Sequence, residues 1–115
     1  MSINFYLRTP HDAPDAEGLH IGQDAARTQF LFRAHPAMGL TNADAWRSFL
    51  ERPGMTIVSE YGAEYPLEEF WARATLRPAD AGGPNALYPR WPAGARGSRE
   101  WNDAAGHPFA DYEFS

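Results

Sequence analysis

The chain contains no cysteine and no lysine, and both absences exclude whole classes of chemistry. Without cysteine it cannot form disulfides, thiolate nucleophiles, zinc fingers or iron–sulfur ligation. Without lysine it has no Schiff base, no lysine general base and no P-loop lysine. Stability must therefore come from packing alone. Because small secreted domains usually carry disulfides, we expect a cytoplasmic protein.

Long apolar runs and an excess of positive charge are missing as well. No stretch approaches the ~18 consecutive apolar residues of a membrane span, and the first residues do not have the pattern of a signal peptide. The 15 acidic residues outnumber the 10 arginines, which gives a net charge of −5. Duplex nucleic acid is not expected as a partner, because duplex binding depends on cations that neutralise phosphates.

The residues that are present indicate one small α+β domain over residues 1–115. Short apolar segments predict a small, mostly antiparallel sheet, and two segments near helical spacing predict helices packed on one of its faces. The predicted strands are Ile3–Arg8, Leu19–Gly22, Thr28–Ala34, Thr56–Ser59 and a C-terminal edge strand that includes Asp111–Ser115. The predicted helices are Asn42–Glu51, after a capping box over Thr41–Asp44, and Pro66–Leu76.

The expected core and the expected loop follow from the same pattern. The predicted core residues are Trp46, Phe49, Leu50, Ile57, Leu67 and Phe70. Proline and glycine interrupt residues 77–105 and leave no usable periodicity. A long loop or mobile segment is therefore predicted there, before the C-terminal strand.

Several blocks of the sequence resemble a group of small bacteriophage and prophage proteins. The blocks are His-Ile-Gly at 20–22, the aromatic strand at 30–32, the helix that contains Trp46, Glu-Tyr-Gly at 60–62, Leu-Glu-Glu-Phe at 67–70 and the Phe-Ser ending at 114–115. The chain departs from the pattern at Gln23 and at Arg27–Thr28, where the group has Lys and Gly-Trp. The likeness covers roughly residues 19–76 and the last ten, and it is a family-level analogy. It implies a phage origin, for which binding to a host protein is the expected activity, with inhibition of a bacterial defence system as one instance.

An acidic surface with exposed tyrosines is the first candidate binding site. Residues 41–76 hold six acidic and three basic side chains, a net charge of −3. If Glu64 and Glu68 lie on one face beside exposed Tyr61 and Tyr65, that face would attract a basic surface of a partner. The alternative is an ordinary solvated helix surface.

A segment that alternates arginine and tryptophan is the second candidate. Arg90, Trp91, Arg99 and Trp101 combine guanidinium groups with aromatic rings, which is the chemistry of single-strand base stacking and also of protein–protein hot spots. The alternative is that the tryptophans pack on the core and the arginines remain solvated.

His20 allows a competing hypothesis of a small enzyme or ligand-binding protein. The His20–Gln23 run resembles a nucleotidylyl-transfer signature but has Gln in place of the second His, so a strand histidine bonded to the backbone, with a bend at Gly22, is favoured. His11, Asp12, Asp15 and Glu17 supply metal-binding atoms without metal-site spacing, so a solvated loop is favoured. No metal and no cofactor are expected.

The sequence as a whole favours a non-enzymatic phage or prophage accessory protein that binds a host protein. The residues expected to contact the partner are Tyr61, Glu64, Tyr65, Glu68, Arg90, Trp91, Arg99 and Trp101. An enzyme that uses His20, a single-stranded nucleic-acid binder and a homodimer formed through an exposed apolar patch remain open.

Overall fold

The computed structural model describes residues 2–12, 18–25, 30–75 and 99–114. Within these ranges a seven-stranded sheet and two helices form the predicted α+β fold. The strands are β1 Ser2–Arg8, β2 Leu19–Ala25, β3 Leu31–Arg33, β4 Thr56–Ser59, β5 Glu64–Tyr65, β6 Glu100–Asn102 and β7 Pro108–Ala110. The helices are α1 Ala43–Leu50 and α2 Leu67–Thr75, and a 3₁₀ turn spans Pro36–Met38.

The strand order across the sheet is β5-β4-β1-β2-β3-β7-β6. All neighbouring pairs are antiparallel except β3 and β7, which are parallel. The sheet is therefore mostly antiparallel, as predicted. The hairpin of β4 and β5 places β5 at one edge of the sheet, next to β4, and its turn begins beside the amino-terminal half of β1.

The core lies between one face of the sheet and the two helices. Because side chains alternate along a strand, Phe5 and Leu7 of β1 reach this face together, and they join Trp46 of α1 and Phe70 of α2 in a single buried cluster. Of the predicted core residues, Trp46, Leu50, Ile57 and Phe70 are buried, while Phe49 and Leu67 are half-buried against the same cluster.

Helix α1 begins one residue later than predicted. Its N-cap is Asn42, whose Oδ1 accepts a hydrogen bond from the Ala45 N–H at 2.8 Å. A second free N–H of the first turn, that of Ala43, donates to Asp103 Oδ2 at 2.8 Å. The capping box predicted over Thr41–Asp44 is therefore wrong. The side chain of Asn42, not that of Thr41, caps the helix, and Asp103, which is distant in sequence, accepts from another N–H of the first turn.

The C-terminal strand also differs from the prediction. The strand is β7, which lies inside the sheet, where the Phe109 ring stacks on Phe32 with centroids 5.0 Å apart. Beyond it the chain leaves the ladder, and Tyr112 and Phe114 pack on the face without helices. The prediction of an edge strand over Asp111–Ser115 is wrong, because alternating side chains also suit an extended segment that lies across a sheet.

The described end of the segment predicted as a loop forms a strand. Residues 100–102 are β6, while residues 77–98 lie outside the described residues. Within the described ranges, no helix combines the length and the apolar character needed to cross a bilayer.

The close approach of Phe30 and the Leu31 backbone requires a glycine at position 22, beside a bulge in β2. The register between β1 and β2 shifts at Phe5/Tyr6, where Phe5 pairs with Gly22 and Tyr6 pairs with His20. A Cβ atom on Gly22 would overlap the Phe30 ring and the carbonyl oxygen of Leu31. The absence of a side chain therefore lets an aromatic ring of the core lie directly on the backbone.

We predict that Gly22→Ala lowers the free energy of unfolding by about 3 kcal/mol, because neither the buried ring nor the backbone carbonyl can move away freely. The matched control is Gly39→Ala: Gly39 has a φ of +75° but nothing within 4 Å of the added atom, so it should cost about 1 kcal/mol, from the backbone alone. Urea denaturation of both variants measures the difference. Equal losses would contradict the proposed overlap at Gly22.

Candidate functional site

The turn between β4 and β5 is held in one conformation by Ser59. The Ser59 N–H donates to the Ala63 carbonyl at 2.8 Å, and its Oγ accepts from the N–H groups of Tyr61 at 3.2 Å and Ala63 at 3.3 Å. Gly62 supplies the positive φ of +86° that the turn requires. The side chain of Tyr61, at the tip of this turn, is 72% exposed.

Asn4 and Glu60 fasten the same turn to β1. The Asn4 N–H donates to Glu60 Oε1 at 2.7 Å, and Asn4 Nδ2 donates to the same oxygen at 3.3 Å. In return, the Glu60 N–H donates to the Asn4 carbonyl at 2.8 Å. Three hydrogen bonds between two residues therefore position the residue that precedes Tyr61.

His20 completes this network from β2. Its Nε2 lies 2.9 Å from Asn4 Oδ1, and because that oxygen can only accept, Nε2 carries the proton and donates. The ring also contacts Tyr6 and Phe114, with centroids 5.1 and 4.7 Å away. His20 is thus the predicted hydrogen-bonded strand histidine, but its ring bonds a side chain of the neighbouring strand.

Burial keeps His20 neutral. Desolvation lowers the pKa of His20 to about 4, which outweighs the opposing effect of the Glu113 carboxylate. His35, whose Nε2 donates to the His20 carbonyl at 2.8 Å, also has a pKa lowered by burial. Because His20 is only 6% exposed, its ring is closed to a substrate, and the geometry favours a structural role.

The predicted acidic residues have different surroundings. Glu68 is bound by Arg47, which also binds Glu51 at 2.8 Å, and the hydrogen bonds to Glu68 and Glu51 raise the pKa of Arg47. In the part of the chain that the structure describes, Glu64 is exposed and has no ion-pair partner. The structure thus neutralises one predicted acidic side chain and leaves the other available.

Tyr65 is half-buried, which corrects the expectation that it is exposed. Its ring packs edge-on against Phe5, with centroids 5.2 Å apart. Its position follows from the pairing of Tyr65 with Ile57, which directs both side chains to the helix face, whereas Glu64 pairs with Val58 on the opposite face.

An open cleft of about 420 Å³ lies beside β5, on the helix side. We call it the edge cleft. It is lined by Leu50, Met55, Thr56, Ile57, Glu64, Tyr65, Pro66 and Leu67. Its walls combine apolar side chains such as Leu67 with polar groups, and residues 60–63 of the turn that carries Tyr61 do not line it.

The second candidate, the arginine–tryptophan segment, is described only in part. Arg90 and Trp91 lie outside the described residues. The half-buried Trp101 donates from Nε1 to the Thr41 carbonyl at 3.1 Å and stacks on Phe109. Arg99 donates to the Asp111 carbonyl and lies over the Tyr112 ring. Both described residues therefore have packing roles, and their contact with a partner stays a prediction.

The sequence did not indicate that Asn4 connects the candidate residues. Asn4 and Glu60 are 56 positions apart, and Asn4 and His20 are 16 apart, so no local spacing relates them. Among the described residues, no group of three or more His, Asp or Glu side chains could hold a metal ion.

No protein-family model, curated protein sequence or solved structure matches the chain. The function must therefore be inferred from the site itself.

We predict that stability depends on the protonation of His20 below neutral pH. Because the pKa is 6.5 in the unfolded chain and about 4 in the folded one, the unfolded state binds more protons between these values. The stabilising contribution is therefore complete above pH 6.5 and decreases as the pH falls towards 4, by about 3 kcal/mol.

Denaturation at several pH values measures this dependence, with His20→Gln as the test variant. Between pH 6.5 and 4, the pH dependence of the unfolding free energy should correspond to about one proton fewer in His20→Gln than in wild type. His11→Gln, at an exposed position, should keep the wild-type slope. An unchanged slope in His20→Gln would show that the buried ring is not the group responsible.

Proposed function

We propose that the chain is a non-enzymatic binding protein that occupies another protein through the surface around Tyr61. The observation that carries the proposal is an exposed aromatic side chain on a turn that is held by several hydrogen bonds. Tyrosine is among the residues that contribute most to binding hot spots, and a turn ordered before binding loses little entropy when a partner contacts it.

The charge near Tyr61 supports a partner with a basic surface. Glu64 lies three residues from Tyr61 and is exposed, and the chain has a net charge of −5. Complementary charge of this kind guides association and disfavours acidic partners. Glu68 and Tyr65 are engaged elsewhere: Glu68 joins α2 to α1 through Arg47, and Tyr65 packs the hairpin on the core.

The enzyme hypothesis receives less support from the same geometry. His20 is buried, its Nε2 proton is donated to Asn4, and Glu60 is engaged by Asn4 as well. These groups stabilise the position of Tyr61, and a catalytic role would require a substrate to displace them.

The resemblance to small bacteriophage and prophage proteins suggests the setting. It supports a protein of the bacterial host as the partner, met in the host cytoplasm. A component of a defence system is the first target to test, because neutralising such a component by occupation requires a binding surface and no chemistry.

We predict that replacing Tyr61 abolishes partner capture without affecting the fold. Immobilised wild type and Tyr61→Ala are incubated with a lysate of the bacterial host, and bound proteins are identified by mass spectrometry. The loss of a hot-spot tyrosine should reduce capture of the specific partner by about tenfold or more.

Met38→Ala is the matched control. Met38 is also a large, exposed apolar side chain, 49% exposed, and it lies in the turn after β3, at the opposite end of the sheet. It should capture the partner as wild type does. Absence of any specific partner, or equal capture by Tyr61→Ala, would refute the proposed function.

A further inference from the structure

We propose that the outer edge of β5 binds an extended segment of the partner in which a basic residue lies between two apolar residues. This inference rests on the proposed function and deepens it, because it states how the partner is held and what its contact sequence contains.

The backbone of Glu64 is directed away from the sheet. In an antiparallel ladder, hydrogen-bonded and non-hydrogen-bonded pairs alternate. Ser59 and Ala63 form a hydrogen-bonded pair, so the next pair, Val58 and Glu64, is not hydrogen-bonded. The N–H and C=O of Glu64 therefore point outward, and no described segment pairs with that side of β5. Two backbone groups are thus available to one residue of an added strand.

The side-chain environment defines the sequence of that strand. A residue paired directly with Glu64 has its side chain on the same face as the Glu64 carboxylate, which has no cation among the described residues. A Lys or Arg at that position would form an ion pair with the Glu64 carboxylate. The two neighbouring residues of the added strand project to the opposite face. One of them lies opposite Tyr65, where the edge cleft includes Leu67, and the other lies opposite Ala63.

The same charge disfavours a second copy of this chain as the occupant. If two β5 strands paired about Glu64, the two carboxylates would lie directly opposite each other, which is destabilising. The edge is also short, because β5 has two residues and Pro66 has no N–H to donate. Short edges that carry charge resist open-ended self-pairing. With so few backbone hydrogen bonds available, the side chains determine which segment binds.

The test uses the whole chain and three capped seven-residue peptides with serine and threonine flanks. The first has Val-Arg-Val at its centre, the second has Val-Glu-Val, and the third is the first with a methyl group on the central backbone nitrogen. Binding is measured by titration while amide chemical shifts are followed. Wild type should bind the first peptide, shift the Glu64 amide, and bind each of the other two about tenfold more weakly.

The variant Glu64→Arg provides the matched control, since it changes an exposed side chain and leaves Tyr61 in place. It should reverse the preference and select Val-Glu-Val. Equal affinity for the three peptides, or no binding of the first, would overturn edge pairing. Capture of a partner that still depends on Tyr61 would then leave the proposed function intact, whereas loss of both would refute the two together.

Discussion

The structure around the exposed turn depends on one buried amide, the side chain of Asn4. Its nitrogen donates to Glu60 and its oxygen accepts from His20, so a residue that is 5% exposed has its side-chain oxygen and nitrogen both engaged by protein groups. These bonds join β1, β2 and the β4–β5 turn. Burial of the ring favours a neutral His20, because its charged form would be costly in this environment.

Among the described residues, several titratable groups near the core have structural partners, so the proposed binding is assigned to the surface. Glu60 and His20 are used to position the turn, and Arg47 ties α1 to α2 through Glu51 and Glu68. The turn presents the aromatic ring of Tyr61, and β5 presents an outward-facing backbone edge and the Glu64 carboxylate, which has no ion-pair partner among the described residues. A surface of this kind is suited to recognition, for which rigidity is an advantage because little ordering is needed on binding.

Local patterns predicted the helices and several strands, but they missed β5 and β6 and did not predict the way the elements are joined. The limits of β4 were predicted to the residue, and both helices were placed within one residue at their described ends, because apolar spacing and flanking proline or glycine are local signals. The parallel pairing of β7 with β3, and the contacts of Asn4, connect residues far apart in sequence. The two-residue alternation of Tyr112 and Phe114 is the same in a strand and in a segment packed on a sheet face, so periodicity alone could not distinguish them.

The most direct test of the central role of Asn4 is nuclear magnetic resonance of the ring nitrogens of His20 near neutral pH. We predict a neutral ring with the proton on Nε2, coupled through the hydrogen bond to Asn4, and loss of that signature in Asn4→Leu. A neutral ring with its proton on Nδ1 would contradict the network that holds the turn, because Nε2 could not then donate to Asn4 Oδ1.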